Sequence, residues 1–240
     1  MIFVGTAGWT LYKATEAFPA DGSTLARYAQ VLRGVEINSS FYRPHATATY
    51  AKWAASTPRR FRFAVKLPQA ITHDDRLRRA RRPLAEFLAQ VAGLGRRLGP
   101  LLVQLPPSLV LEPRVAGSFF KLLREMHDGP VVCEPRHDSW FTARAEALLV
   151  GHRIARVAAD PAPVIAARRP GGWPGIAYFR LHGSPRKYWS PYDAGRLRQW
   201  GAALGALPRG TDGWCIFDNT AGGGAARNAL DLAGLVGSRR

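Results

Sequence analysis

Short apolar runs of four to six residues recur along the chain at Ile2–Ala7, Val35–Asn38, Phe61–Lys66, Leu101–Leu105, Val131–Glu134, Ile154–Ala159, Ile176–Leu181 and Trp214–Phe217. Each reads as a buried strand, and a helical pattern or its remnant follows each one. Alternating strands and helices predict a parallel sheet. Eight such units favour an α/β fold of the closed (β/α)8 TIM type. The 240 residues suit a barrel of about 250 and leave little for a second domain. The expected organisation is one domain over residues 1–240. An open doubly wound sheet is the alternative, but no GxGxxG follows the first strand, so a dinucleotide-binding half has no support.

The helical stretches carry recognisable ends. Ser23 or Asp21 is placed to cap a helix running to about Arg33, with Gly34 as its C-terminal glycine. Helices are expected over Thr47–Ser56, over Leu84–Leu98 with Gly99-Pro100 stopping it, and over Pro113–Met126. Thr142 caps the next, Asp193–Leu207 is helical, and Thr220–Gly224 opens the last. Between Asp160 and Ile176 lie four prolines and three glycines. That composition predicts a shortened connection between the sixth and seventh strands.

Every run but the first has polar or charged residues at or just past its C-terminal end, where α/β folds build their sites. The richest is VVCEPRHDSW at Val131–Trp140, where Pro135 prevents the strand from continuing. The set comprises Glu36, Asn38, Lys66, Gln104, Glu134, Arg136, His137, Asp160, Arg180, His182, Asp218 and Asn219. In a barrel these ends ring one mouth. Glu134 and Glu36 are the candidate general base and acid, since paired carboxylates in unequal surroundings divide those roles. His137 or His182 is suited to shuttle a proton. Lys66 is suited to neutralise an oxyanion or form a Schiff base, or else to make a salt bridge to Glu36 or Glu134 that only holds the barrel. Glycines in Gly183–Lys187 and at Gly222, Gly223 and Gly224 suggest, with Arg186, a phosphate cradle at a helix N-terminus. Trp9, Tyr42, His73 and Tyr188 lie in predicted loops and complete the substrate-binding set.

A formal charge of +17 and a pI of about 11.1 imply attraction to an anionic partner. Arginine supplies most of it. The densest basic run, Arg76–Arg82, has no interleaved aromatics and reads better as a solvated helix start than as a nucleic-acid grip. The first expectation is therefore an enzyme acting on an anionic, phosphorylated or sugar-like small molecule. The second is a nucleic-acid-binding or metal-dependent nucleic-acid-processing protein, with Trp9, Tyr42, Trp140, Tyr188 and Trp189 available for base stacking. Glu134, Asp160, His182 and Asp218 form a conceivable divalent-metal set, although Arg136, Arg180 and Lys66 would crowd it; a metal is not favoured and the cofactor is left open. Cys133 and Cys215 sit in apolar runs without metal-ligand spacing and read as reduced core residues. Met1 leads straight into Ile2-Phe3-Val4, and no run approaches the roughly 20 apolar residues of a membrane span. A cytoplasmic protein without membrane contact is expected.

Seven motifs occur in a fixed order: GTAGWT at Gly5–Thr10, VEINSSFYR at Val35–Arg43, FAVKLPQAITH at Phe63–His73, LGPLLVQLPPS at Leu98–Ser108, EPRHDSW at Glu134–Trp140, YFRLHG at Tyr178–Gly183 and FDN at Phe217–Asn219. Together they resemble the YecE-like family, catalogued as domain of unknown function 72, over nearly the whole chain. The resemblance implies a TIM-barrel-like fold and no established activity. One departure stands out. The last strand of the family commonly ends in two asparagines, and here Asp218 precedes Asn219, which implies an additional negative charge in the pocket.

Overall fold

The computed structural model describes residues 1–237. In chain order, β1 (Ile2–Thr6) leads to α1 (Thr24–Val31), and β2 (Gly34–Ile37) to the short α2 (Ser39–Tyr42) and to α3 (Thr47–Ala55). β3 (Arg62–Lys66) leads to α4 (Arg81–Val91), β4 (Leu98–Gln104) to α5 (Pro113–Met126), and β5 (Val131–Glu134) to α6 (Ala143–Gly151). There follow β6 (Ile154–Arg156), β7 (Ala158–Asp160), β8 (Gly171–Gly172), β9 (Ile176–Leu181), α7 (Ala194–Gly205), β10 (Asp212–Phe217) and α8 (Ala225–Gly237). The starts of α1, α6 and α7 use side-chain caps that satisfy otherwise orphaned N–H groups. Ser23 accepts from the Ala26 N–H at 3.2 Å, Thr142 from Ala145 at 3.2 Å and Asp193 from Arg196 at 2.8 Å.

The strands pair in two sheets, ordered β1-β10-β9-β7 and β2-β3-β4-β5-β6-β8. Every pairing is parallel except that of β6 with β8. The molecule is thus a mixed α/β fold with parallel-dominated sheets, and its ladder does not run through the single closed sheet the sequence suggests. Each break has a physical cause. Between β1 and β2 the Tyr28 hydroxyl takes the place of ladder bonds: it accepts from the Thr6 N–H and donates to the Gly34 carbonyl, both at 2.9 Å. Only one bridge, Ala7 with Glu36, joins the two strands. At the other break the expected sixth strand divides. Its first half, β6, pairs with β5, and its second half, β7, pairs with β9. The Gly- and Pro-rich return then lays β8 antiparallel along β6, with Gly172 at φ +67° where a Cβ would lie 2.4 Å from the Ile154 carbonyl oxygen.

Strand alternation sorts the side chains into two cores. Odd-parity residues such as Phe63, Val65, Leu101, Val103, Val131, Cys133, Phe179, Cys215 and Phe217 face the helices. Their neighbours Phe3, Ala64, Leu102, Val132, Ala155, Tyr178, Trp214 and Ile216 form a second, smaller cluster drawn from both sheets. Two positions expected to end helices instead make room for Trp214 of that inner cluster. Gly34 opens β2, and a Cβ there would lie 3.2 Å from the Trp214 ring. Gly99 and Pro100 lie inside β4, and a Cβ on Gly99 would lie 2.9 Å from the same ring. α4 accordingly ends at Val91, well before Leu98.

Candidate functional site

Continuing the inward parity by two residues leads from the inner apolar cluster to its charged cap. Ala64 is followed by Lys66, Leu102 by Gln104, Val132 by Glu134, Tyr178 by Arg180, and Ile216 by Asp218. Glu36 takes the same side of β2. All six of these capping residues are buried. Arg180 is the hub. Its Nε and Nη2 donate to Glu36 at 3.1 and 2.8 Å, its Nη1 to Glu134 at 2.5 Å, and its Nη2 also to Asp218 at 3.1 Å. Tyr178 donates its hydroxyl proton to Glu36 at 2.8 Å. His182 stands between two carboxylates, Nε2 at 3.0 Å from Glu134 and Nδ1 at 3.0 Å from Asp218. Both contacts are hydrogen bonds at once only when both ring nitrogens carry protons.

These cations fix the ionisation of the acids. Although burial opposes charge, Arg180, Arg136 and His182 hold the Glu134 carboxyl well below its usual range, and Arg180 and His182 lower that of Asp218. Lys66 behaves differently. Its ammonium lies 3.6 Å from the centroid of the Phe41 ring and makes no ion pair among the described residues. Desolvation, with repulsion from Arg180 and Arg136, brings its pKa down to about 8 despite the nearby Glu36 and Glu134. The alternative of a salt bridge from Lys66 to Glu36 or Glu134 is not what forms, because Arg180 already occupies both carboxylates. His73 packs edge-on against Phe41 at 4.9 Å. Desolvation and the charges of Lys66 and Arg136 lower its pKa. Arg136 touches Glu134 only at 3.4 Å and is partly exposed.

Other expected residues go elsewhere. His137 accepts from the Ser139 N–H at 3.2 Å and caps the turn after β5, so it is not in the cluster. Asp160 accepts from Tyr192 at 2.8 Å and from Arg196 at 2.5 Å, pinning α7. The conceived metal set of Glu134, Asp160, His182 and Asp218 therefore does not assemble, and no group of three or more His, Cys, Asp or Glu suited to a metal exists among the described residues. The Gln104 amide donates to the Leu105 carbonyl at 2.7 Å. Trp9 packs edge-on against Trp53, and the Trp140 indole is buried, donating to Leu109. The glycine loop is not an open cradle: a Cβ on Gly222 would lie 2.3 Å from the Trp189 carbonyl oxygen, and one on Gly223 2.3 Å from the Tyr12 ring. Those glycines serve loop packing, and the Gly223 N–H is spent on Thr220. Arg186 stacks on Trp189 at 4.4 Å, and Tyr42 is exposed. Tyr188 does reach the cluster, its ring 5.6 Å from that of His182. Asn38 and Asn219, at the ends of β2 and β10, each keep a buried Oδ1 without a donor.

Sequence reading missed Tyr178 and Phe41. Tyr178 shares the parity of Arg180 and His182, so the period-two pattern contained the signal. Phe41 carries none, because its place under Lys66 depends on α2.

The fold and this cap define a class: parallel-sheet α/β proteins with a buried arginine–carboxylate–histidine cluster at the C-terminal strand ends. The chain belongs to the family described as "Protein of unknown function DUF72", whose model matches residues 3–240. It is similar to UPF0759 protein YecE of Escherichia coli K12, at 28% identity over 174 residues. That match covers 70% of this chain and 62% of the relative, so the matched stretch spans less than two thirds of the relative's length. UPF0759 protein YunF of Bacillus subtilis is 23% identical over 98% of this chain and 95% of its own. A crystal structure of a DUF72 family protein from Thermotoga maritima superposes with a TM-score of 0.80 at 25% identity, covering 99% of both chains. One from Enterococcus faecalis does so at 0.81 and 21%, covering 99% of this chain and 96% of that one. No helix among the described residues is long and apolar enough to cross a membrane.

Proposed function

We propose that this protein is an enzyme performing acid–base chemistry on an anionic, phosphorylated or sugar-like small molecule at the C-terminal ends of its strands. The observation that carries this reading is the contrast within the cap. Three carboxylates are consumed by Arg180 and His182, while Lys66 beside them makes no ion pair among the described residues. A scaffold would pair that lysine. An enzyme needs a group whose pKa lies near the working pH, and Lys66 at about 8 is one.

Roles follow from the same geometry. Glu134 stays ionised at neutral pH and cannot be the proton donor, so its part is to fix Arg180 and His182, while Glu36 holds Arg180 from the other side. Lys66 takes the proton-transfer role. Arg136, with N–H donors to spare, binds the substrate anion. The unpaired oxygens of Asn38 and Asn219 suit substrate hydroxyls, which supply the missing donors. We also read the two sheets as halves of one (β/α)8 barrel. Support comes from the inner cluster shared by both sheets and from the Ala7–Glu36 bridge. Enzymes of that fold place their sites at this end. The two free, buried cysteines suit a reducing cytoplasm.

The test is a turnover screen of phosphorylated sugars and sugar acids with the wild-type chain and Lys66→Met. Turnover of a member by the wild type alone supports the reading; an inert wild type across both classes contradicts it. A nucleic-acid reading is favoured by one observation, the exposed Arg186–Trp189 stack beside the exposed Tyr188. Such a pair suits single-stranded bases.

A further inference from the structure

We propose that Lys66 is a covalent amine that forms an imine with the carbonyl carbon of an anionic aldehyde or ketone. This inference rests on the acid–base reading above and specifies its substrate class. Three features of the molecule argue for it. First, the Lys66 Nζ is not held by any carboxylate among the described residues, because Glu36, Glu134 and Asp218 are each bound to Arg180. A lysine tied into an ion pair would hold its nitrogen lone pair as N–H; this one has only the Phe41 ring beneath it at 3.6 Å. Second, the lysine is buried, so the imine would form where bulk water competes poorly for it. Third, Arg136 offers a guanidinium in the same cap with a single long contact, 3.4 Å to Glu134. That places an anion receptor close to an amine nucleophile, the pairing a phosphorylated or carboxylated carbonyl compound requires.

The chemistry balances without any outside reagent. The neutral amine attacks the carbonyl carbon, a C–N bond forms, and the carbonyl π electrons move to oxygen, which takes up a proton. The resulting carbinolamine loses its oxygen as water, carrying away the two protons that began on nitrogen, and a C=N bond remains. Desolvation and the positive charge of Arg180 and Arg136, which bring Lys66 to about 8, keep a share of the amine neutral at physiological pH.

The chain has five lysines, Lys13, Lys52, Lys66, Lys121 and Lys187, so the modified residue can be mapped without ambiguity. The wild-type protein is incubated at pH 7.5 with pyridoxal 5′-phosphate, an anionic aldehyde, then reduced with borohydride and mapped by peptide mass spectrometry. Pyridoxal without the phosphate is run in parallel. The proposal expects roughly ten-fold or more adduct at Lys66 than at any other lysine, since its buried amine stands in the same cap as the Arg136 anion receptor and a share of it is neutral at that pH. It also expects a marked loss of that preference with pyridoxal. Adduct spread over the other four lysines with Lys66 unmodified overturns it. So does equal labelling of Lys66 by pyridoxal and its phosphate, which would mean a reactive lysine without an anion receptor. If Lys66 stays unlabelled while a sugar phosphate is turned over, imine formation falls and the acid–base enzyme stands. If neither occurs, both fall.

Discussion

Lys66 and Arg180 are one inward step from the same apolar cluster, yet they respond oppositely to charge. Arg180 donates to three carboxylates, and removing it leaves those charges buried and uncompensated. Loss of one partner of a buried ionic group costs about 3–5 kcal/mol. Arg180→Met therefore lowers Tm by roughly 10 °C in a chain of this size, measured by calorimetry at pH 7; a shift within a degree would contradict the hub. Glu134 and Asp218 have native pKa values below their ordinary ones. Their stabilisation is present above about pH 4 and is lost as pH falls from there to the native values, because in that window the unfolded chain takes up protons that the native state does not. Lys66 runs the other way. Its native value of about 8 lies below the ordinary 10.5, so between those values the unfolded chain binds the extra proton and stability rises with pH. Below pH 8 the buried ammonium costs on the order of 3 kcal/mol. Lys66→Met is therefore no less stable than wild type at pH 7 and lacks the alkaline gain; a Tm several degrees lower at pH 7 would show that the ammonium stabilises the fold.

At the scale of elements, the seam between β1 and β2 depends on a side chain from α1. Tyr28→Phe removes the hydroxyl that serves both the Thr6 N–H and the Gly34 carbonyl. Two buried backbone groups then lack partners, at about 1–3 kcal/mol each. The predicted result is a lower urea midpoint with no change in the titration of Lys66, since Tyr28 lies outside the charged cap. An unchanged midpoint would mean the seam is held some other way. The sequence made the strand–helix alternation legible because each unit carries its own period and its own stops; α5 falls on Pro113–Met126 as read. It did not reveal the division of the sixth strand, because pairing partners are a tertiary property and residues 154–159 read as one apolar run. Nor did it show that Gly34 and Gly99 yield space to Trp214, a residue distant in sequence from both.

On the scale of the whole molecule, the charged cap was legible because parity is local: a polar residue two places beyond an inward apolar one stays inward. What could not be read was who pairs with whom. The sequence offered Glu36 and Glu134 as the acid and base, and only the fold shows Arg180 between them, which frees Lys66. His137 and Asp160 misled for the same reason, being at strand ends but turned to a local cap and to α7. The charge of +17 makes a separate prediction. If Arg186 and Trp189 bind single strands, affinity for oligothymidylate falls linearly on a log–log plot against salt and drops in Trp189→Ala; no binding at low salt removes that reading. The unpaired lysine at the centre of the cap is tested most directly by NMR of protein carrying [ε-13C]lysine, titrated from pH 6 to 11. One resonance, absent from Lys66→Arg, is predicted to titrate with a midpoint near 8. A Lys66 resonance with its midpoint at the ordinary lysine value of about 10.4 would contradict it.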